Sequence, residues 1–219
     1  MFVSNKFQKT FIVTLVICGL LFTIAGSTFA YLNGASAKNN TTVKGSTYNF
    51  SVELDASAIK SGNLIPVVDN LVIQSLNSTH VCEDTRGYGL CSLYRVRFTN
   101  SGSAQNLTGS LKTVSSTYTT NNLKYQLFTL NGSTYSAISD AASINNTANI
   151  LNSFKLNGTS IAVSLDDGSA ASTTKDIYLV IWVSDPGNNQ LEDQNKTFTG
   201  QLAFSSPSGD TITSTFIGS

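Results

Sequence analysis

The chain has 219 residues, 41% of them hydrophobic and 10% aromatic, which is enough to close a core and excludes a wholly disordered chain. Charged residues make up only 12%, about half the roughly 25% of an average globular protein. The 13 basic and 13 acidic side chains cancel, so the basic footprint of a nucleic-acid binder is absent.

Lys6 and Lys9 precede an uncharged apolar stretch over residues 11–25, and small residues follow up to Ala30. This is the order of a secretory signal. An apolar run of about 15 residues is short for a bilayer span, which takes roughly 20, although Gly26, Phe29 and Tyr31 nearly supply the rest. Residues 1–30 are therefore read as a helical signal peptide or N-terminal membrane anchor, with cleavage favoured. The preferred cut lies after Ala30, and Ala35-Ser36-Ala37 offers a second small-x-small site. The stretch has no glutamate near its start, unlike a type IV pilin leader. Export predicts an extracellular or cell-surface protein that touches a membrane only if the leader is retained.

Residues 31–46 form an extended segment that is too polar to be a core strand of its own domain. Two readings stay open on the residues alone. The segment is either a flexible tether or a strand donated to the open sheet edge of another copy, with Tyr31, Leu32 and Val43 filling pockets there.

Residues 47–219 are read as one β-sandwich domain. Beyond residue 46 the apolar period is two, the signature of half-buried strands. Residues 49–54 alternate Phe50, Val52 and Leu54 with polar neighbours, and a strand is also expected over 71–76. Residues 93–98 put Tyr94, Val96 and Phe98 on one side and Arg95 and Arg97 on the other, where solvent is expected because unpaired buried charge is costly. Residues 107–114, 123–130 and 161–165 continue the rhythm, and Asn131-Gly132 marks a hairpin. Residues 141–154 are the one candidate helix, with Ile144, Ala148, Ile150, Leu151 and Phe154 loosely on one stripe.

Ile177-Tyr178-Leu179-Val180-Ile181-Trp182-Val183 is apolar at every position, so both faces should be covered and the strand central. Ile181 and Trp182 are then core, as are Phe198 and Phe204 of the one-sided strand 198–204. The tail 211–217 is β-prone. Evenly spaced strands with turn-rich intervals predict an all-β antiparallel sandwich of Greek-key or jelly-roll type.

Cysteine usage agrees with export. Cys18 leaves with a cleaved signal, and Cys82 and Cys91 form an even pair across eight residues containing Gly87 and Gly89. A disulfide is expected, since two thiols and the single histidine, His80, leave a tetrahedral zinc site short of ligands. N-x-[ST] acceptors at Asn39, Asn40, Asn49, Asn77, Asn106, Asn131, Asn145, Asn157 and Asn195 permit glycosylation.

No catalytic constellation stands out. One histidine excludes the paired-histidine zinc motif, and a serine triad would have to rely on His80, which reads as a loop residue. The pairs Glu83/Asp84, Asp166/Asp167 and Glu192/Asp193 are the carboxylates that glycosidic acid–base chemistry or calcium binding would use, but Asp166-Asp167-Gly168 is more simply a turn. Asp185, Asn188, Asn189, Glu192, Asp193 and Asn195 crowd hard oxygen ligands into one interval without the spacing of a calcium loop. The reading is non-enzymatic, with no catalytic residue, metal or cofactor.

The leader ending Thr28-Phe29-Ala30, then Tyr31-Leu32-Asn33-Gly34 and a polar stretch into Lys44-Gly45-Ser46-Thr47-Tyr48-Asn49-Phe50, resembles the start of mature TasA and camelysin-like proteins. Residues 178–184, the loop after them and Lys196-Thr197-Phe198-Thr199-Gly200-Gln201-Leu202-Ala203-Phe204 look like that family's penultimate strand, acidic loop and final strand. The likeness covers both ends of the chain, whereas residues 55–175 match only in strand rhythm and at Leu123-Lys124-Tyr125. It implies a secreted jelly-roll subunit of extracellular fibres or biofilm matrix. Its partners would be further copies of itself, donating residues 31–46, together with other matrix or cell-surface components. The competing function is a membrane-tethered monomeric adhesin or carbohydrate-binding sandwich using Tyr88, Tyr118 and Tyr135.

Overall fold

The computed structural model describes residues 34–35, 51–62, 64–187, 193 and 196–218. The leader with Ala30, and Tyr31, Leu32 and Val43, lie outside the described residues.

Two open antiparallel sheets face each other. The first runs in the order β1 (Gly34–Ala35), β14 (Thr211–Gly218), β13 (Phe198–Ser205), β4 (Gln105–Ser116), β11 (Ala162–Leu165), with β8 (Leu151–Ser153) also on β4. The second runs β2 (Val52–Lys60), β3 (Ser92–Asn100), β12 (Thr173–Val183), β5 (Leu123–Asn131), β6 (Thr134–Ala137), with β7 (Ala142–Ser143) also on β5. A separate ribbon pairs β9 (Lys155–Leu156) with β10 (Thr159–Ser160). The chain changes sheet between β1 and β2, β3 and β4, β4 and β5, β7 and β8, β11 and β12, and β12 and β13, the crossing connectivity of Greek-key and jelly-roll sandwiches. The expected all-β antiparallel sandwich is thus the fold that forms.

Alternation builds the interior. On β13 Phe198, Gly200, Leu202 and Phe204 point inward and every second residue is half-exposed. On β3 Tyr94, Val96 and Phe98 do the same. Aromatic rings join the sheets: Tyr94 meets Phe216 and Phe98 meets Phe204, both at 4.8 Å between centroids. Inward glycines make room for two of these rings. Gly109 pairs across the strands with Phe204, and Gly200 with Phe216, so a ring lies where a side chain would otherwise stand. Arg97 faces outward but not free, because its Nε and Nη2 donate to Asp176 Oδ1 and Oδ2 at 2.7 Å each across the β3–β12 ladder.

The continuous apolar run on β12 is central, between β3 and β5. Ile177, Leu179, Ile181 and Val183 enter the sandwich core. Tyr178, Val180 and Trp182 enter a second, smaller core on the outer face. What covers that face is the connection from β2 to β3, which carries the helix α1 (Asp69–Leu76) and a hairpin closed by Cys82 and Cys91.

Two expected elements are corrected here. Residues 71–76 are helical: Val72, Ser75 and Leu76 are buried, at the one-turn spacing of a helix face laid on the outer side of β12. Residues 141–154 contain short strands and turns. Asn145 Oδ1 accepts from the Thr147 N–H at 3.0 Å and Asn149 takes a positive φ of 67°, and such local side-chain bonding competes with a helix. Among the described residues no helix is long and apolar enough to cross a membrane.

Candidate functional site

Two features stand out above the bare sandwich, the edge of the first sheet at β14 and the layer built on the second sheet. Along one side β14 is paired with β13 over its whole length. On the other side, among the described residues, only Gly34 and Ala35 pair with it, opposite Gly218 and Ile217. These two residues belong to the segment proposed from sequence as a donor. An edge strand offers a row of unpaired N–H and C=O groups, which is a template for further pairing. β1 also lies against β2, so the seam where both sheets end is where the segment arrives.

The outer layer is pinned by backbone and side chains together. Val67 N–H donates to the Val183 carbonyl, and Asp185 N–H to the Val67 carbonyl, each at 2.9 Å. Asp69, in the first turn of α1, accepts from Trp182 Nε1 at 2.9 Å, Ser184 Oγ at 2.7 Å and Lys124 Nζ at 2.5 Å. Burial raises the Asp69 carboxyl, but the bonds from Lys124, Trp182 and Ser184 outweigh it and hold the group below its ordinary value.

The disulfide joins Cys82 and Cys91, both buried, with Cα atoms 4.8 Å apart. Inside the hairpin Asp84 Oδ1 accepts the N–H groups of Arg86 at 2.8 Å and Tyr88 at 2.9 Å. Gly87 turns the chain at φ 83°, a conformation that a Cβ disfavours. Glu83 forms an ion pair with Lys60 at the end of β2.

The other candidate residues are dispersed. His80 is exposed on the loop after α1, its N–H donating to Ser78 Oγ at 3.1 Å. Asp167 Oδ1 accepts from Ser169 Oγ at 2.6 Å and from Ser169 N–H at 2.8 Å, which holds its carboxyl below the ordinary value. Asp166 accepts through its carbonyl, from Asn100 Nδ2 at 2.7 Å and Thr173 Oγ1 at 3.2 Å. Asp193 is buried and accepts from Thr120 Oγ1 at 2.5 Å and Asn122 Nδ2 at 2.7 Å. Asp185 Oδ1 accepts from Gly187 N–H at 2.8 Å. Asn188, Asn189, Glu192 and Asn195 lie outside the described residues. Among the described residues no three His, Cys, Asp or Glu side chains converge to hold a metal ion.

Ile181, Trp182, Phe198 and Phe204 are all buried. Of the three tyrosines expected at the surface, only Tyr88 is substantially exposed, at 44%. Tyr118 is buried in the sandwich core, and Tyr135 stacks edge-on against Tyr178 with centroids 5.2 Å apart. Hydroxyl-rich neighbours in sequence say nothing about what packs above either ring. Sequence reasoning also missed the Asp69 clamp, although an acidic residue just ahead of an apolar run is a helix-start signal. The chain matches no family model and no curated protein.

Proposed function

We propose that this chain is an exported, non-enzymatic structural subunit of extracellular fibres or matrix, joined to further copies by strand donation. The segment 31–46 of one subunit pairs with the edge of β14 in the next. The observation that carries this reading is the antiparallel register, within the chain, of Gly34 and Ala35 on Gly218 and Ile217, at an edge of β14 that is otherwise unpaired among the described residues. The same pairing made within a chain or between chains involves the same groups, so exchange between copies needs no new surface, only a free end. Main-chain hydrogen bonds supply affinity in such an addition. The low charge of the chain leaves little like-charge repulsion between stacked subunits.

The test uses two variants with one added cysteine each, Ala35→Cys and Ile217→Cys, in the exported mature chain with the Cys82–Cys91 bridge intact. Mixed and mildly oxidised, they should give a disulfide-linked heterodimer, and the unmodified chain should give fibres by electron microscopy. A chain starting at Thr47 should give neither. Monomers from every chain across a wide concentration range would overturn the reading.

A further inference from the structure

Two hollows meet on the outer layer. One, of about 360 Å³, lies between the end of β2 and the disulfide hairpin, with Leu64, Glu83 and Tyr88 in its wall. The other, of about 690 Å³, extends to Val68 and Leu71 at the start of α1. Ile65 and Glu83 line both, so the two hollows adjoin as the halves of a trough that these residues divide. Its floor is apolar, and Val68, Leu71 and Tyr88 are each more than 40% exposed. Its larger half is lined by the carboxylate residues Glu83, Asp84 and Asp185 and, among the described residues, by no lysine or arginine; Lys60 lines the smaller half and neutralises Glu83, which leaves Asp84 and Asp185 as the acidic rim. An apolar trough with an acidic rim fits a short apolar segment carrying one positive charge.

The register of the strands shows which end of the sandwich Gly34 shares with this trough. Gly34 sits opposite Gly218, which sits opposite Phe198, itself opposite Ser116. Ser116 leads through a few residues to Leu123, opposite Val183. On the same sheet Ile181 is opposite Ser92, and Leu93 opposite Lys60. The end of β14 where Gly34 pairs and the end of β2 where the trough begins are therefore the same end of the sandwich. Three residues, 31–33, precede Gly34 after a cut at Ala30, and they can span about 10 Å when extended. Two of them are Tyr31 and Leu32, and the cut gives Tyr31 an α-ammonium group with an ordinary pKa near 8.

Building on the strand-donation reading, we propose that the trough is the receptor for the freed N-terminus of a second copy. Tyr31 and Leu32 fill its apolar floor, and the α-ammonium group meets the carboxylate rim. The disulfide hairpin thereby becomes part of the subunit contact, and leader cleavage becomes a condition for assembly, because an uncut chain has neither the charge nor the free end.

The test places a photo-crosslinking benzoyl-phenylalanine at position 31 of the exported mature chain, which keeps an aromatic ring there. Irradiation should give adducts between copies that map to residues 60–91. Their yield should fall several-fold when the α-amine is acetylated and when Leu71→Arg, a change at an exposed position, is introduced in the receiving copy. Adducts between copies confined to residues 211–218 would overturn the trough while leaving strand donation standing. Adducts on residues 60–91 within a single chain would overturn the second copy as occupant, and strand donation with it. The absence of adducts on residues 60–91 in assembled material would overturn the trough outright.

Discussion

Asp69 and Trp182, 113 positions apart, are joined by a 2.9 Å hydrogen bond from the indole Nε1 to the carboxylate. The bond fixes the start of α1 over the outer face of β12. Trp182 is fully buried, so removing its acceptor strands a buried N–H, which costs about 1–3 kcal/mol. Asp69→Ala should lower stability by about 2 kcal/mol at neutral pH, measured by urea unfolding, whereas Asp69→Asn, which retains an acceptor, should lose less. The carboxyl is depressed in the folded state, so its contribution is complete above the ordinary carboxylate pKa of about 4. It fades as pH falls through the lower folded value. The gap between wild type and Asp69→Asn should therefore close in acid; a gap constant down to pH 2 would show that the charge contributes nothing.

Replacing Cys82 and Cys91 together by serine opens a loop spanning nine positions. Loop-closure entropy predicts a loss of roughly 2–3 kcal/mol, and the two sulfurs are buried, so hydroxyls placed there add to the cost. The loss should be visible as a lower denaturation midpoint under non-reducing conditions. Hydrogen exchange should localise it to residues 61–91 and leave β4 and β13 protected. An unchanged midpoint would mean that the hairpin holds without its bridge.

Much of the sandwich is legible in the chain because its strands carry their burial at every second residue. Phe198, Gly200, Leu202 and Phe204 show the inward face directly, and the seven apolar residues from Ile177 to Val183 show that something must cover both sides of β12. What covers the outer side is not legible. Leu71-Val72-Ile73 contains β-branched residues, and so short an apolar run fits a strand as well as a helix. Only the partner surface of Tyr178, Val180 and Trp182 decides between them. The converse error at residues 141–154 has a local cause, since asparagine side chains there bind neighbouring backbone groups and end the helix before it starts. The pairing of Gly34 with Gly218 joins residues 184 positions apart and leaves no periodic trace at all.

Gly200→Ala tests the ring-over-glycine packing. A Cβ at this position would stand 2.5 Å from Phe216 Cζ and 2.9 Å from Phe198 Cε1, inside van der Waals contact, and both rings are fully buried. Overpacking of this kind costs about 1–3 kcal/mol. Because Phe216 is on β14, the displaced ring should also disturb the edge strand. The variant should therefore lose stability in thermal unfolding and protection along residues 211–216. Gly132→Ala, in the exposed hairpin turn at φ 63°, should cost less, since nothing lies near its added methyl group and only the backbone strain remains. Equal losses at the two positions would argue against the packing explanation.

The buried tyrosines should limit the fold on the alkaline side. Burial pushes the Tyr94 phenol up to about 12, with a small opposing contribution from Ser92. It pushes Tyr125 up to about 12 as well. Tyr118 is also raised, by burial first and then by the nearby charge of Asp193. A phenol ionises near pH 10 in the unfolded chain, so between pH 10 and 12 the folded state holds protons that the unfolded state has released. Stability therefore falls as pH rises through this window, by up to about 1.4 kcal/mol per pH unit for each such group, and it is unaffected by these groups below pH 9. Spectrophotometric titration should show a steep step in which the buried phenols appear together with loss of near-ultraviolet circular dichroism. Tyr94→Phe, which keeps the ring against Phe216 and removes the proton, should shift that unfolding step to higher pH. A step at the same pH in the variant would mean that alkaline unfolding is governed by other groups.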